Sequence, residues 1–233
     1  MRGSPFFFTG DRTAVKRRLV LLGPPGSGKG TQAEMITRHF GIPVTSPGAI
    51  LRRERDLGTP LGQETAEVLQ SGGLVSDKII IGLIEDWLRL HGGHGFVFDG
   101  FPRTMPQAES LNSMLARLRT ALDLVIWLEV SEETVRDRIA GRLQCGECGF
   151  TTSSSSAQFA NRPVCPYCDG RLERRNDDDL GVLQTRLQEF HTKTEPLAAF
   201  YQKMSTLHWI DGNRDREAVF SDISRLIEDK SAT

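Results

Sequence analysis

The chain has 233 residues, 38% of them hydrophobic and 25% charged, a composition that buries a sizeable core in one large domain with insertions or in two small ones. Its 29 basic and 30 acidic residues leave a formal net charge of -1, which excludes a global attraction to nucleic acid or to an anionic membrane. Any anion it binds must therefore meet a local cluster of positive groups.

The opening Met1-Arg2-Gly3-Ser4 reads as an expression-vector leader, and residues 1–16 are expected to form a loosely ordered extension outside the fold. The apolar knot Pro5 to Phe8 is far shorter than the core of a signal peptide, and Asp11 argues against an acid-poor transit peptide. Beyond it, short β-rich runs alternate with amphipathic stretches, the pattern of βαβ units on a parallel sheet. Strands are expected at Arg18–Leu22, Ile42–Thr45, Phe96–Phe98, Leu124–Val130 and Leu207–Ile210. Helices are expected at Lys29–Phe40, Gly48–Leu57, Leu61–Gln70, Asp77–Leu90, Met105–Leu118, Glu132–Leu143, Asp179–Met204 and Arg216–Asp229. The longest apolar run, Leu122 to Val130, is broken by Asp123 and Glu129 and falls well short of the ~20 residues that span a bilayer. From Gln144 to Arg174 the periodicity vanishes, Ser153–Ser156 is low in complexity, and the chain's four cysteines appear. This stretch is an insertion on an α/β body.

Leu19-Val20-Leu21-Leu22 runs directly into Gly23-Pro24-Pro25-Gly26-Ser27-Gly28-Lys29-Gly30-Thr31-Gln32. A buried strand, a glycine-rich turn and a helix start aim several backbone N–H groups at one concavity, and the helix dipole adds partial positive charge. Lys29 reaches the outer phosphates of a nucleotide held there. The general pattern places Ser or Thr directly after the lysine to hold Mg²⁺, whereas Gly30 occupies that position and Thr31 follows. The ion is therefore expected to rest on nucleotide oxygens and waters, with less direct protein ligation.

Three further blocks carry charge. Phe98-Asp99-Gly100-Phe101-Pro102-Arg103 sits at a strand's carboxyl end, where Asp99 can orient water on Mg²⁺ and Arg103 can fork onto a phosphate. Arg138 and Arg142 are four residues apart, so one helix face is expected to present both. Arg175-Asn176-Asp177-Asp178 follows the insertion, and Arg186 lies downstream. Within the insertion, the spacing Cys145-x₂-Cys148-x₁₆-Cys165-x₂-Cys168 suits a tetrahedral metal, with disulfides the alternative. Without a secretion signal, two close cysteine pairs point to a Zn²⁺ site in a reducing compartment, the cytoplasm. Four thiolates leave no open position for water, so the ion would be structural.

These blocks together resemble the adenylate kinase family, in its zinc-containing form with a long lid, over roughly Arg18 to Asp229. The resemblance implies a P-loop NTPase-type doubly wound, five-stranded parallel sheet with helices on both faces. It places a core domain at 17–45, 75–143 and 175–233, a helical monophosphate-binding subdomain at 46–74 and a zinc-ribbon-like lid at 144–174. By the same resemblance ATP and AMP are the small-molecule partners, and ATP + AMP ⇌ 2 ADP is the Mg²⁺-dependent reaction, with no nucleic acid or membrane partner and a monomeric chain. Gly26, Ser27, Gly28, Lys29, Gly30 and Thr31 would cradle ATP, with Arg138 against its adenine and Arg214 in the bordering loop Asp211-Gly212-Asn213-Arg214. Arg103, Arg142, Arg175 and Arg186 would ring the transferring phosphoryl group, since such chemistry asks the protein for positioning and charge neutralisation.

On the acceptor side the turn Thr45-Ser46-Pro47-Gly48-Ala49-Ile50-Leu51-Arg52 keeps the family's arginine, Arg52, to grip the AMP phosphate. Pro47 replaces the usual threonine and Ala49 the usual aspartate, which removes a hydroxyl from the base site. Leu74 and Val75 in Gly73-Leu74-Val75-Ser76-Asp77 would wall the base, Gly100 would border it, and Gln107 would read adenine with an amide that offers donor and acceptor together. Two other readings stay open: a kinase for UMP, CMP or GMP, and a P-loop ATPase with a nucleic-acid-binding zinc ribbon. The latter would use Arg162, Arg171 and Arg174 with Phe150, Phe159 and Tyr167.

Overall fold

The computed structural model describes residues 17–91, 95–154, 159, 163–175 and 178–229. The expected N-terminal extension, Arg162, and Asn176 and Asp177 of the Arg175 block lie outside the described residues.

Alternation along the first strand sets the architecture. In β1 (Arg18–Leu22), Leu19 and Leu21 join one apolar cluster and Val20 and Leu22 another, so both sheet faces are buried. β1 is central in a five-stranded parallel sheet with β2 (Val44–Thr45), β3 (Phe96–Asp99), β4 (Leu124–Glu129) and β8 (Leu207–Asp211), ordered β2-β3-β1-β4-β8. One face packs on α1 (Lys29–Phe40) and the carboxyl-terminal helix Arg216–Asp229. The other packs on α4 (Asp77–His91) and α5 (Met105–Arg117), with Phe96, Phe98, Phe101 and Tyr201 filled in between. The chain leaves β1 towards β2 on one side, and leaves β3 towards β4 on the other. The carboxyl ends of these adjacent strands therefore flank the crevice where doubly wound sheets bind ligands.

Three expectations about helices need revising. α2 (Pro47–Asp56) starts at Pro47 itself, which fits because Pro has its φ preset and lacks only an N–H that the first turn leaves unpaired. α3 (Pro60–Ser71) follows it, capped by Thr59, whose hydroxyl accepts from Gly62 N–H.

The expected helix Glu132–Leu143 stops at Ala140 (α6, Glu132–Ala140), and Arg142 begins β5 (Arg142–Cys145). Arg138 and Arg142 thus do not share a helix face. Strand pairing outcompetes the helix here: β5 pairs antiparallel with β6 (Thr151–Ser153), and Ser154 N–H bonds Gly141 O at 2.7 Å. A Cβ on Gly141 would meet Ser153 Oγ at 2.9 Å, so any larger residue there would push that hydroxyl aside.

The expected helix Asp179–Met204 is instead α7 (Leu180–Glu189), a π-helical turn Phe190–Thr194 and α8 (Leu197–Lys203). Pro196 has no N–H to continue an α-helical ladder, and the chain widens so that Glu195 N–H bonds Phe190 O at 2.9 Å. α9 (Arg216–Asp229) forms as expected.

The cysteine-bearing stretch forms a separate antiparallel sheet, β6-β5-β7, with β7 at Leu172–Glu173. Its only sizeable apolar cluster among the described residues is Cys145, Cys148, Phe150, Phe159, Cys165 and Leu172. It leans on the body through Tyr167, over whose ring the Arg38 guanidinium of α1 lies at 3.9 Å, with a hydrogen bond from Arg38 to the Tyr167 hydroxyl.

Candidate active site

The turn after β1 is built by close approach. Gly28, the N-cap of α1, holds φ 97°, which an L side chain resists. Gly30 faces the next strand: a Cβ there would stand 3.3 Å from Asp99 Oδ2. The glycine that departs from the general phosphate-loop pattern thus leaves the Asp99 carboxylate directly against the turn. Register reinforces this, since Asp99 is the partner of Leu21 and Gly100 N–H bonds Leu21 O at 3.2 Å.

Lys29 folds back over the turn, donating to Gly23 O and Pro24 O at 2.8 Å each and to Ser27 Oγ at 3.1 Å. Burial of its ammonium pushes its pKa from the ordinary 10.5 to about 7; Asp99 raises it, and Arg103, Arg186 and Arg142 lower it further. Four charged groups from three separate segments therefore act on one ammonium.

A cleft of about 1770 Å³ opens over the turn. Lys29, Asp99, Gly100, Arg52, Arg103, Arg138, Arg142, Arg175, Arg186 and Arg214 all line it, as do Gly26, Ser27, Gly28, Gly30, Thr31, Ser46 and Leu74. Arg103 is held by its Nε on Gly100 O at 2.8 Å, and its carbonyl accepts from Thr194 Oγ1 of the π turn at 2.9 Å. Arg142 and Arg186 converge on Asp178, whose side chain is only 4% exposed. Arg142 Nε bonds Asp178 Oδ2 at 2.7 Å and its Nη2 bonds Oδ1, to which Arg186 Nη1 comes within 3.4 Å. Arg138 lies across the turn towards the β8–α9 loop, its Nη1 3.4 Å from Ser27 O and its Nη2 3.3 Å from Arg214 O. Burial lowers its pKa, against the opposing pull of Asp211. The Arg214 side chain turns to Asp222 at 2.5 Å, leaving its backbone to border the cleft.

A second, small cavity of about 40 Å³ adjoins the cleft and is lined by Pro47, Leu74, Val75, Gly100, Arg103 and Gln107, among others. Gln107 is 2% exposed; its Oε1 accepts from Arg103 N–H and its Nε2 donates to Asp77 Oδ1, each at 2.8 Å.

Lys29 and these seven arginines thus line one cleft over the glycine-rich turn, and the comparison of sequences decides the family. The adenylate kinase family model matches residues 21–206. The chain belongs to the adenylate kinase family. It is 41% identical over 211 residues to the adenylate kinase of Pelobacter propionicus, covering 90% of this chain and 96% of the relative. It is 38% identical over 211 residues to that of Magnetococcus marinus, covering 90% and 99%. It is 39% identical over 211 residues to the adenylate kinase of Archaeoglobus fulgidus, covering 90% and 97%. Family members are phosphotransferases, and the five-stranded parallel sheet over the phosphate turn is consistent with that membership.

The cysteines meet in one place. Cys145 and Cys168 Sγ atoms are 3.4 Å apart, as are those of Cys148 and Cys165, and all four lie within 4.8 Å of one another. These spacings exceed the ~2.05 Å of a disulfide. They bracket the about 3.8 Å edge of a tetrahedron with metal–sulfur bonds of ~2.3 Å. Burial pushes the Cys148 and Cys145 thiols up, whereas the Gly170 backbone hydrogen bond draws Cys168 down, so the buried pair becomes thiolate only where a cation shares the site. The donor set fits zinc. Phe150 and Phe159 are packed inside this patch, and Tyr167 is covered by Arg38, so the aromatics expected of a strand-stacking ribbon are engaged within the protein.

Two residues that matter to this geometry were quoted in the sequence without a role. Asp178 betrays itself as an acid between arginines, since a buried carboxylate must be paired. Asp77 looks only like an acid in a helix's first turn, and nothing local reveals its bonds to Gln107 and Thr104.

Proposed function

We propose that this chain catalyses ATP + AMP ⇌ 2 ADP and so maintains the balance of adenine nucleotides. The observation that carries the reading is the environment of Lys29, where charges from Asp99, Arg103, Arg142 and Arg186 overlap on one buried ammonium. A site so crowded with positive charge is unfavourable when empty and is relieved by a polyphosphate. Lys29 would exchange the loop carbonyls for outer phosphate oxygens. Gly26 to Thr31 would hold the ATP phosphates, Arg138 would cover its adenine, and Arg214 would border it through its backbone. Arg103, Arg142, Arg175 and Arg186 would neutralise the phosphoryl group in transit, with Arg52 holding the AMP phosphate beside Arg103. The acceptor is already an ionised phosphate, so no general base is needed.

Asp99, facing Gly30 across the turn, is the residue that would hold Mg²⁺ through its waters. When bound there, Mg²⁺ would supply neutralisation of phosphate charge. Cys145, Cys148, Cys165 and Cys168 would hold a structural Zn²⁺, which supplies rigidity to the sheet carrying Arg142 at its edge.

Residues 46–74 and 144–174 would move against the rest. The 40 Å³ cavity has room for only a few water molecules, so a purine enters only if α2 and α3 shift. Lid closure would then exclude the water that hydrolyses ATP. The reading includes a cytoplasmic monomer, supported by the four free thiols and the family's habit; no helix of the described residues is long and apolar enough to cross a membrane.

One observation favours testing other acceptors. Pro47 lines the base cavity without a hydroxyl, so base choice falls on Gln107. Initial rates with ATP against AMP, UMP, CMP and GMP decide it. AMP should lead, and Gln107→Ala should erode that lead; an AMP rate no better than UMP or GMP makes the acceptor assignment wrong.

A further inference from the structure

The Gln107 carboxamide is bound on both sides by groups of fixed polarity. Its Oε1 faces Arg103 N–H at 2.8 Å, and its Nε2 faces Asp77 Oδ1 at 2.8 Å. Asp77 Oδ1 is itself held by Thr104 Oγ1, which donates to it at 2.9 Å. A backbone N–H only donates and a carboxylate only accepts, whereas an amide does both. The amide therefore fits one way round. Turned over, its NH₂ would face the Arg103 N–H and its oxygen the Asp77 carboxylate, two like-polarity contacts at a residue 2% exposed.

We propose that Asp77, together with the Arg103 backbone amide, is a positioning residue that locks the orientation of Gln107 and so selects a 6-aminopurine over a 6-oxopurine in the acceptor site. This rests on the AMP reading above. Each amide atom has spent one of its two hydrogen-bonding valences, which leaves one N–H and one lone pair beside the cavity. Adenine offers the complement: an acceptor at N1 and a donor at N6. Hypoxanthine and guanine offer the reverse, a donor at N1 and an acceptor at O6. A freely turning glutamine serves both by rotating half a turn; a locked one serves only the first. Pro47 and Ala49 supply no side-chain donor or carboxylate of their own, so the lock is left to discriminate.

The test is the ratio of kcat/KM for AMP to that for inosine monophosphate, which differs from AMP at the 6-position alone and in the N1 proton that follows from it. In Asp77→Asn the new amide donates as well as accepts, and the ratio should fall by about tenfold or more, with inosine monophosphate gaining as AMP loses. Asp77→Ser, whose hydroxyl also does both, gives the same reading should Asp77→Asn not fold. Thr104→Val keeps the lock while losing the bond to Asp77 and the cap of α5, so it should lower Tm and hold the ratio. If Asp77→Asn and Asp77→Ser depress both substrates in parallel with the ratio unchanged, the lock is overturned. A wild-type protein that does not phosphorylate AMP overturns instead the functional reading beneath it.

Discussion

The parallel sheet and the cysteine-bearing sheet bury apolar surface on very different scales. The first is packed on both faces, with Leu19, Leu21 and Ile126 on one side and Val20, Leu22 and Phe98 on the other, all nearly inaccessible. Among the described residues the second hides six, and three of those are cysteines. So small a patch cannot repay the entropy of ordering its loops, and the shortfall is what a metal bound by four thiolates would make up. On that proposal the body is specified by the hydrophobic pattern, and the cysteine-bearing sheet by ligand chemistry. On the proposed reading catalysis would draw on both, since Lys29, Asp99 and Arg103 sit on the body and Arg142 begins β5, the strand that leads into the cysteine-bearing sheet.

The largest effect should come from the body and leave its fold untouched. Lys29→Met should lower kcat by about a thousandfold, the scale of losing a central charge stabiliser, with Tm held or raised. Its pH behaviour sharpens the point. With a folded pKa of about 7 against an unfolded value near 10.5, the unfolded chain binds more protons between those limits, so wild-type stability rises with pH across that window. Thermal melts from pH 7 to 10 should lose that rise in Lys29→Met. By the same linkage a bound polyphosphate restores the proton, so ATP binding near pH 8 should take one up, read by calorimetry in buffers of different ionisation enthalpy.

Next comes the metal. Elemental analysis should find about one zinc per chain, and chelation or Cys165→Ser should expose 144–174 to limited proteolysis while the body keeps its main transition. A lid that stays resistant without metal breaks the contrast between the two regions. A smaller loss follows from Asp178→Asn, which releases Arg142 and Arg186: kcat should fall by roughly ten- to a hundredfold, with little change in the KM for ATP. The smallest is Pro47→Thr. Restoring a hydroxyl at the base cavity should lower the KM for AMP by a few-fold, the worth of about one hydrogen bond.

The body was largely legible because its signals are local and repeated. Strand positions, the helix after Lys29 and the last helix all followed from period and caps. Where legibility failed, a distant partner intervened. Nothing before Gly141 says that β6 will pair with β5 and end the helix, and the seam near Pro196 shows only as a proline within an otherwise continuous pattern. The site divides similarly. Lys29, Asp99 and Arg103 are visible because each lies in a dense motif, and the structure gathers them with Arg142, Arg175 and Arg186 in one cleft. Asp178 and Asp77 act by tertiary bonds over eight or more positions, and no pattern within a motif encodes those.

The central claim is that cations around Lys29 pass a phosphoryl group between two nucleotides rather than to water. Phosphorus NMR of equimolar ATP and AMP with Mg²⁺ and catalytic protein tests it directly. The account predicts that ADP appears as the sole product, two for each AMP consumed, and that nothing happens when AMP is left out. Inorganic phosphate released at the same rate with or without AMP would contradict it.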